Sequence, residues 1–249
     1  MTISGRQPLI RVLYDESRSD LRDPARPRPV RLYLWEPNHP LALPVPLVVV
    51  SHGTGGSGSS MEWLVGPLRE AGFRVAALDH HGNNFVDGYE PEGFLHVWER
   101  PRDVSFALDA LAREQPPGPV GVAGFSLGGY TAAALAGARV DPQILRAVMM
   151  GEVPLPEIPE FPSALEALEA LEALEALRKK YSLNESSRRA LDAAGADLSD
   201  PRVRAVFQVA PGVGTLVTRE SLATVQVPVG SAGAERTRST RTKSTRSRT

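Results

Sequence analysis

The chain has 249 residues, 42% hydrophobic and 23% charged, with a formal net charge of −1. That is length enough for one large α/β domain with a full core, and the charge gives no global reason to expect nucleic acid or anionic membrane as a partner. It has no cysteine, which excludes disulfides, thiolate metal sites and cysteine nucleophiles.

Two strand-like runs open the chain, "LIRVLYD" (9–15) and "RPVRLYLWEP" (28–37), joined by a loop rich in Pro, Arg and Asp. "PLVVVSHG" (46–53) is a continuous β-branched run, the pattern of a strand buried on both faces. A helix is expected over 60–71 with Gly72 as its stop signal, then a second buried strand, "FRVAALDH" (73–80). A Gly/Asn-rich loop follows at 81–97. A helix over 101–113 then leads to a third buried strand, "VGVAGF" (120–125). Apolar strands alternating with helices predict a mostly parallel sheet covered on both faces, with functional loops at the strands' carboxyl ends.

Residues 141–200 contain no convincing buried strand. They hold "ALEALEALEALEAL" (164–177), a strong helix former with Ser163 and Glu166 spaced as a capping box. Its period is three, so successive leucines drift by about 60° around a helix and make no straight stripe. A helical lid and a repeat grown by replication slippage are both compatible with it. Strands are expected again at 201–211 and at "ATVQVPV" (223–229). Pattern is then lost: residues 230–249 carry six basic groups against the single acid Glu235, which leaves the first 229 residues at about −6. The division expected is an α/β domain over 1–229, with 141–200 as a helical insertion, and a disordered basic tail over 230–249.

Gly124-Phe125-Ser126-Leu127-Gly128 fits G-x-S-x-G between an expected strand and an expected helix. In that setting the glycines permit a sharp turn, Ser126 stands exposed as a nucleophile at a helix head, and the Leu127 N–H is an oxyanion donor. "SHGTGGSGS" (51–59) fits the second donor, with Thr54 the best-placed N–H. A phosphate-binding loop is the rival there, but no Gly-Lys-Ser/Thr follows. His52, Gly55, His80 and His81 are expected to line the pocket. No metal or organic cofactor is called for.

Taken with "YDESR", "HGTGGS", "LDHHGNN", "WERPRDVSFALDAL", "GFSLGGYTA" and "DPRVRAVFQVAP", the chain resembles the α/β-hydrolase superfamily over most of residues 10–229. Within that superfamily it is similar to bacterial dienelactone hydrolase-like proteins related to platelet-activating factor acetylhydrolase. The resemblance implies hydrolysis of a small carboxylic ester or lactone through a Ser126 acyl-enzyme, with Thr54 and Leu127 as oxyanion donors. It implies a lid at 141–200, and loop- and helix-anchoring roles for Asp79 and Asp103. It also implies a catalytic acid after the "VQVPV" strand, then a further strand, a histidine and a helix, all of which this text lacks.

The five histidines are His39, His52, His80, His81 and His96, and all precede Ser126. A triad in the order Ser, acid, His therefore has no base here. Three accounts stand: a slip of reading frame near codon 230, an evolved basic arm that binds a polyanion, or a non-catalytic binding protein that kept the hydrolase fold. A slip is compatible with the tail, since one codon choice for Ser239–Thr245 reads Val-Asp-Gln-Asp-Glu-Val-Asp one nucleotide earlier. Upstream substitutes for the base are weak: His52, His80 or His81 would have to approach Ser126, and Glu152 would have to fold back over it.

Overall fold

A computed structural model describes residues 7–39, 43–150, 152–153, 175, 179, 191, 193–212 and 214–233. In chain order the elements are β1 (Leu9–Ser19), β2 (Pro27–Trp35), β3 (Leu47–Ser51), α1 (Glu62–Glu70), β4 (Arg74–Asp79), the short hairpin β5 (Asn83–Asn84) and β6 (Gly88–Tyr89), and α2 (Pro91–Leu95). There follow α3 (Glu99–Glu114), β7 (Val120–Phe125), α4 (Leu127–Leu135), α5 (Pro142–Met150), β8 (Val203–Val209), α6 (Arg219–Ala223) and β9 (Val229–Ala232).

Seven strands form one sheet in the order β1-β2-β4-β3-β7-β8-β9. β1 and β2 are antiparallel, and β2 joins β4 antiparallel. The remaining pairs, from β4–β3 through β8–β9, are parallel. Parallel strands need crossover connections: α1 lies between β3 and β4 in the chain, α3 between β4 and β7, which flanks β3 on its other side, α4 and α5 between β7 and β8, and α6 between β8 and β9.

The alternation of β3 explains why both faces are covered. Leu47 and Val49 pack with Val104, Leu108 and Leu111 of α3 and with Ala132 and Leu135 of α4. Val48 and Val50 face the other way, onto Val65 of α1 and Met61. Burying one such aliphatic side chain contributes roughly 1.5–3 kcal/mol, so the four together weld β3 into the centre of the sheet. A third cluster joins Leu127, Tyr130 and Ala134 of α4 to Leu145 of α5 and to Trp98, Leu191 and Ala194. The start of the 141–200 segment thus packs directly on the helix that follows Ser126.

Two expectations need correction. The run over 223–229 is not a strand: α6 ends at Ala223, and the strand begins only at Val229. Thr218 caps α6 by accepting from the Ser221 N–H. Pro228 has no N–H to give a ladder, although its carbonyl accepts from Val206. The strand then continues through Gly230, Ser231 and Ala232, into text that looked patternless. The 81–97 loop, second, contains the β5–β6 hairpin and α2. The leucine–glutamate repeat lies outside the described residues except for Glu175, which is helical. So does the tail from Ala234 onward.

Candidate active site

Ser126 lies between β7 and α4 with φ 50° and ψ −115°. A side chain at positive φ is strained by about 1–3 kcal/mol and persists only where the surroundings fix it. They do so here. The Ser126 N–H donates to the Val209 carbonyl at 2.9 Å, and its own carbonyl accepts from Gly129 at 2.8 Å and from Gly212 at 2.9 Å. A Cβ on Gly124 would overlap the Gly128 carbonyl, and one on Gly128 would overlap the Ser51 carbonyl. Glycine is required at both positions because backbone runs against backbone.

The loop after β3 reaches the same place. A Cβ on Gly53 would sit 3.3 Å from Ser126 Cβ and 3.0 Å from the Phe125 ring. The Gly53 carbonyl faces inward, 2.6 Å from His52 Nδ1 and 3.2 Å from the Gly56 N–H. In a trans peptide the C=O and N–H point in opposite directions, so the Thr54 N–H is turned outward. Among the described residues neither the Thr54 N–H nor the Leu127 N–H is hydrogen-bonded. Gly55 is committed to its loop: its N–H donates to Asn83 Oδ1 at 2.7 Å and its carbonyl accepts from the Tyr89 hydroxyl at 3.1 Å. Tyr89 and Trp63 are both exposed, and the Trp63 ring meets Phe125 edge-on at 5.9 Å. Trp63 thus lies against the residue before Ser126, and Tyr89 against the loop after β3.

The three histidines expected at the pocket wall are buried beneath it, with exposures of 0% for His52, 1% for His80 and 3% for His81. His52 Nε2 accepts from the His80 N–H at 3.2 Å, so both its ring nitrogens are engaged by backbone. His80 Nε2 accepts from the Ser51 hydroxyl at 2.9 Å, and its Nδ1 donates to Asp103 at 3.3 Å. Both rings are satisfied as neutral imidazoles. Burial, reinforced by the Arg100 cation, holds His52 well below its ordinary pKa and pushes His80 down to about 3. His81 Nε2 lies 2.9 Å from Asp20 Oδ1 and 3.1 Å from the Leu21 amide nitrogen, which ties it to the β1–β2 loop. All three rings are buried; those of His52 and His80 are hydrogen-bonded within the fold through both nitrogens, whereas His81 Nδ1 has no hydrogen-bond partner among the described residues.

Asp79 and Asp103 anchor the fold locally. Asp79 accepts from the Gly58 N–H at 2.7 Å and from the Tyr33 hydroxyl at 2.8 Å. Asp103 accepts a two-pronged contact from Arg28, at 2.7 and 3.0 Å, and pairs with Arg18 at 2.8 Å. Burial alone would raise the Asp103 carboxyl, but Arg28 and Arg18 outweigh it and hold it well below its ordinary value. Glu152 donates its N–H to the Ala147 carbonyl, which places its backbone just past α5.

Three contributors were not apparent in the sequence. Gly212 donates to the Ser126 carbonyl, Asn83 accepts from the Gly55 N–H in the loop after β3, and buried Arg100 donates to the His52 carbonyl. The only local signal was weak: "HGNN" and "APGVG" both read as ordinary turns. Among the described residues no cluster of His, Asp and Glu could hold a metal ion, and no helix is long and apolar enough to cross a membrane.

Residues 43–235 match the family described as serine aminopeptidase, S33. No curated protein matches the chain. A puromycin-hydrolysing peptidase of Mycobacterium tuberculosis is similar in structure at 17% identity and a TM-score of 0.52, the likeness covering 94% of this chain and 36% of that one. A lipase/esterase from Lactobacillus plantarum is similar at 15% identity and a TM-score of 0.48, covering 93% and 90%. A cold-adapted esterase from an Arctic intertidal metagenomic library is similar at 17% identity and 0.46, covering 94% and 74%.

Proposed function

The chain belongs to the serine aminopeptidase S33 family of α/β serine hydrolases, and from that premise we propose that Ser126 is an acyl-forming nucleophile for small carboxylic esters or lactones. The observation that carries this reading is the Ser126 backbone at φ 50° and ψ −115°, held at the head of α4 by its N–H donating to the Val209 carbonyl of β8 and its carbonyl accepting from the Gly212 N–H. In the proposed reaction Ser126 Oγ attacks the carbonyl carbon. The oxygen that becomes negative takes hydrogen bonds from the Thr54 and Leu127 N–H groups, the alkoxide departs and takes up the serine proton to become the alcohol, and water then adds to the acyl group, returning a proton to Oγ and releasing the acid. The aromatic side chains of Trp63, Phe125 and Tyr89 suit an apolar substrate of modest size, in keeping with the likeness to dienelactone hydrolase-like proteins.

As written, the chain is proposed to be impaired. A base follows the nucleophile in this chain order, and residues 127–249 contain no histidine. The buried pair His52 and His80 cannot substitute while their ring nitrogens are engaged within the fold. Amide cleavage suffers most, because a departing amine must be protonated by that same histidine. Esters, whose leaving groups need less help, are therefore favoured over peptides here. We assign the loss to a frame slip within the text that begins at Gly230, and α5, which packs on α4, to the start of the proposed lid.

Re-sequencing the gene across codons 220–249 and the stretch that follows tests this. An open shifted frame encoding an acid-bearing loop and a later histidine supports the proposal, and its expression should restore Ser126-dependent ester hydrolysis. A confirmed tail, with the shifted frame closed, contradicts the slip. It would favour the second reading, a binding protein whose six basic tail residues meet a polyanion. That reading predicts steep salt dependence that disappears when residues 230–249 are deleted.

A further inference from the structure

We propose that Arg100 is the positioning residue of the oxyanion hole, tying the Thr54 loop to the head of α4. The inference rests on the reading of Ser126 as nucleophile with Thr54 and Leu127 as donors.

Arg100 stands in the first turn of α3 and is 1% exposed. Burying a guanidinium costs several kcal/mol even after relaxation, so its partners show what the fold uses it for. The nearby carboxylate does not explain it. Asp103 has its oxygens taken up by Arg28, Arg18 and His80, and it supports Arg100 only through the field between them. The guanidinium reaches instead for uncharged acceptors. Nη2 donates to the His52 carbonyl and lies 3.4 Å from Ser51 Oγ, while Nε donates to Thr131 Oγ1 at 3.3 Å.

Those acceptors sit on the two segments that carry the proposed donors. Ser51 and His52 lead directly into Gly53 and Thr54. Thr131 lies one turn into α4, and its hydroxyl contacts the Leu127 carbonyl at 3.4 Å. Two successive carbonyls before Thr54 are thus held beneath the site, His52's by Arg100 and Gly53's by the His52 ring. With both tied down, the Gly53–Thr54 peptide has one orientation, its N–H directed opposite to the Gly53 carbonyl. The same fork fixes how far α4 stands from that loop. A planar guanidinium can bridge two segments at once, whereas an ammonium ion offers one point of charge. Burial lowers the Arg100 pKa to about 9, which still leaves the cation charged at neutral pH.

The test compares, on the same chain, a ligand that becomes anionic on binding with one that stays neutral. At neutral pH, where Arg100 keeps its charge, phenylboronic acid is trigonal and uncharged. Ser126 Oγ forms a bond to boron as the serine proton passes to the buffer. The adduct is a tetrahedral boronate anion with one of its oxygens in the hole. Methyl benzoate has a similar ring and stays uncharged. Dissociation constants are measured by calorimetry for the parent chain, Arg100→Met, Arg100→Lys, Thr131→Val and Ser126→Ala, with a thermal melt for each.

In Arg100→Met the boronate is expected to bind about tenfold more weakly while methyl benzoate is unchanged, the size of one lost hydrogen bond to a charged group. Arg100→Lys should recover part of the loss, and Thr131→Val should show a smaller loss of the same kind. If Arg100→Met does not fold, the lysine and valine variants carry the comparison. Boronate affinity within twofold of the parent in folded variants overturns the inference. So does parallel weakening of both ligands, the mark of a merely structural role. No boronate binding by the parent, or equal binding by the parent and Ser126→Ala, is a separate failure that overturns the nucleophile assignment and this inference with it.

Discussion

His52 Nδ1 lies 2.6 Å from the carbonyl oxygen of Gly53, so the histidine that leads into the loop beside Ser126 serves its own backbone. Its other nitrogen accepts from the His80 N–H. No lone pair is left to take a proton from the serine. The chain therefore combines a strained strand-to-helix turn at Ser126 with histidines hydrogen-bonded inside the fold, and the predictions below follow from that division.

Ser126 holds positive φ against its own Cβ. Ser126→Gly should raise stability over Ser126→Ala by about 1 kcal/mol, because glycine adopts that backbone without strain. Paired thermal or urea melts of the two variants check this, and equal melts would mean the turn stores no strain.

Gly128 admits no side chain, since a Cβ there overlaps the Ser51 carbonyl. Gly128→Ala should cost about 3 kcal/mol or more, at the upper end for overpacking because the obstacle is backbone of the central strand. Gly137 has φ 113° but nothing within 4 Å of a built Cβ. Gly137→Ala should therefore cost less, through backbone strain alone.

Asp103 pairs with Arg28 and Arg18 in the interior. Asp103→Asn removes the countercharge of buried Arg28, while Arg18 keeps Asp15 and Glu99, and should destabilise by about 3–5 kcal/mol. Urea unfolding at neutral pH measures it. A loss under 1 kcal/mol would show that solvent reaches the cluster.

Acid should unfold the protein through its buried imidazoles. His52 and His80 are held below their ordinary pKa, His80 at about 3, so the unfolded chain binds protons that the native state refuses. The sign follows: stability is fully present above about pH 6.5 and falls as pH drops toward 3, by up to about 1.4 kcal/mol per pH unit for each ring. Asp103, depressed by its arginines, adds a further loss below about pH 4. Melting temperatures from pH 8 down to 4 read the slope. His80→Asn, which keeps a donor toward Asp103, should remove one ring's share of it.

Much of the fold was legible because burial on both faces writes itself locally. "LVVV" and "VGVAGF" could be only interior strands, and the serine between "GF" and "LGG" had the flanks of a strand-to-helix turn. The 223–229 run misled for the same local reason: Thr-Val-Gln-Val-Pro-Val alternates like a strand, but Pro228 cannot pair through an N–H, and the sheet is joined only beyond it. Arg100, Asn83 and Gly212 could not be read from the sequence. Their partners lie 48, 28 and 86 residues away, as contacts of Arg100 with His52, Asn83 with Gly55 and Gly212 with Ser126. No periodicity records such meetings. The histidines were legible as residues near the site but not as buried ones, because "DHH" looks the same whether a ring faces solvent or the Asp103 carboxylate.

The most direct test of the central claim is hydrolysis of p-nitrophenyl acetate by the chain as written, with Ser126→Ala beside it. On the proposal that no base reaches Ser126, only the residual of about 10³–10⁴ over water is expected, supplied by the proposed oxyanion donors and binding. The account predicts that low rate, indistinguishable between the two proteins. Robust turnover that vanishes in Ser126→Ala would contradict it, and would mean that a base reaches Ser126 after all.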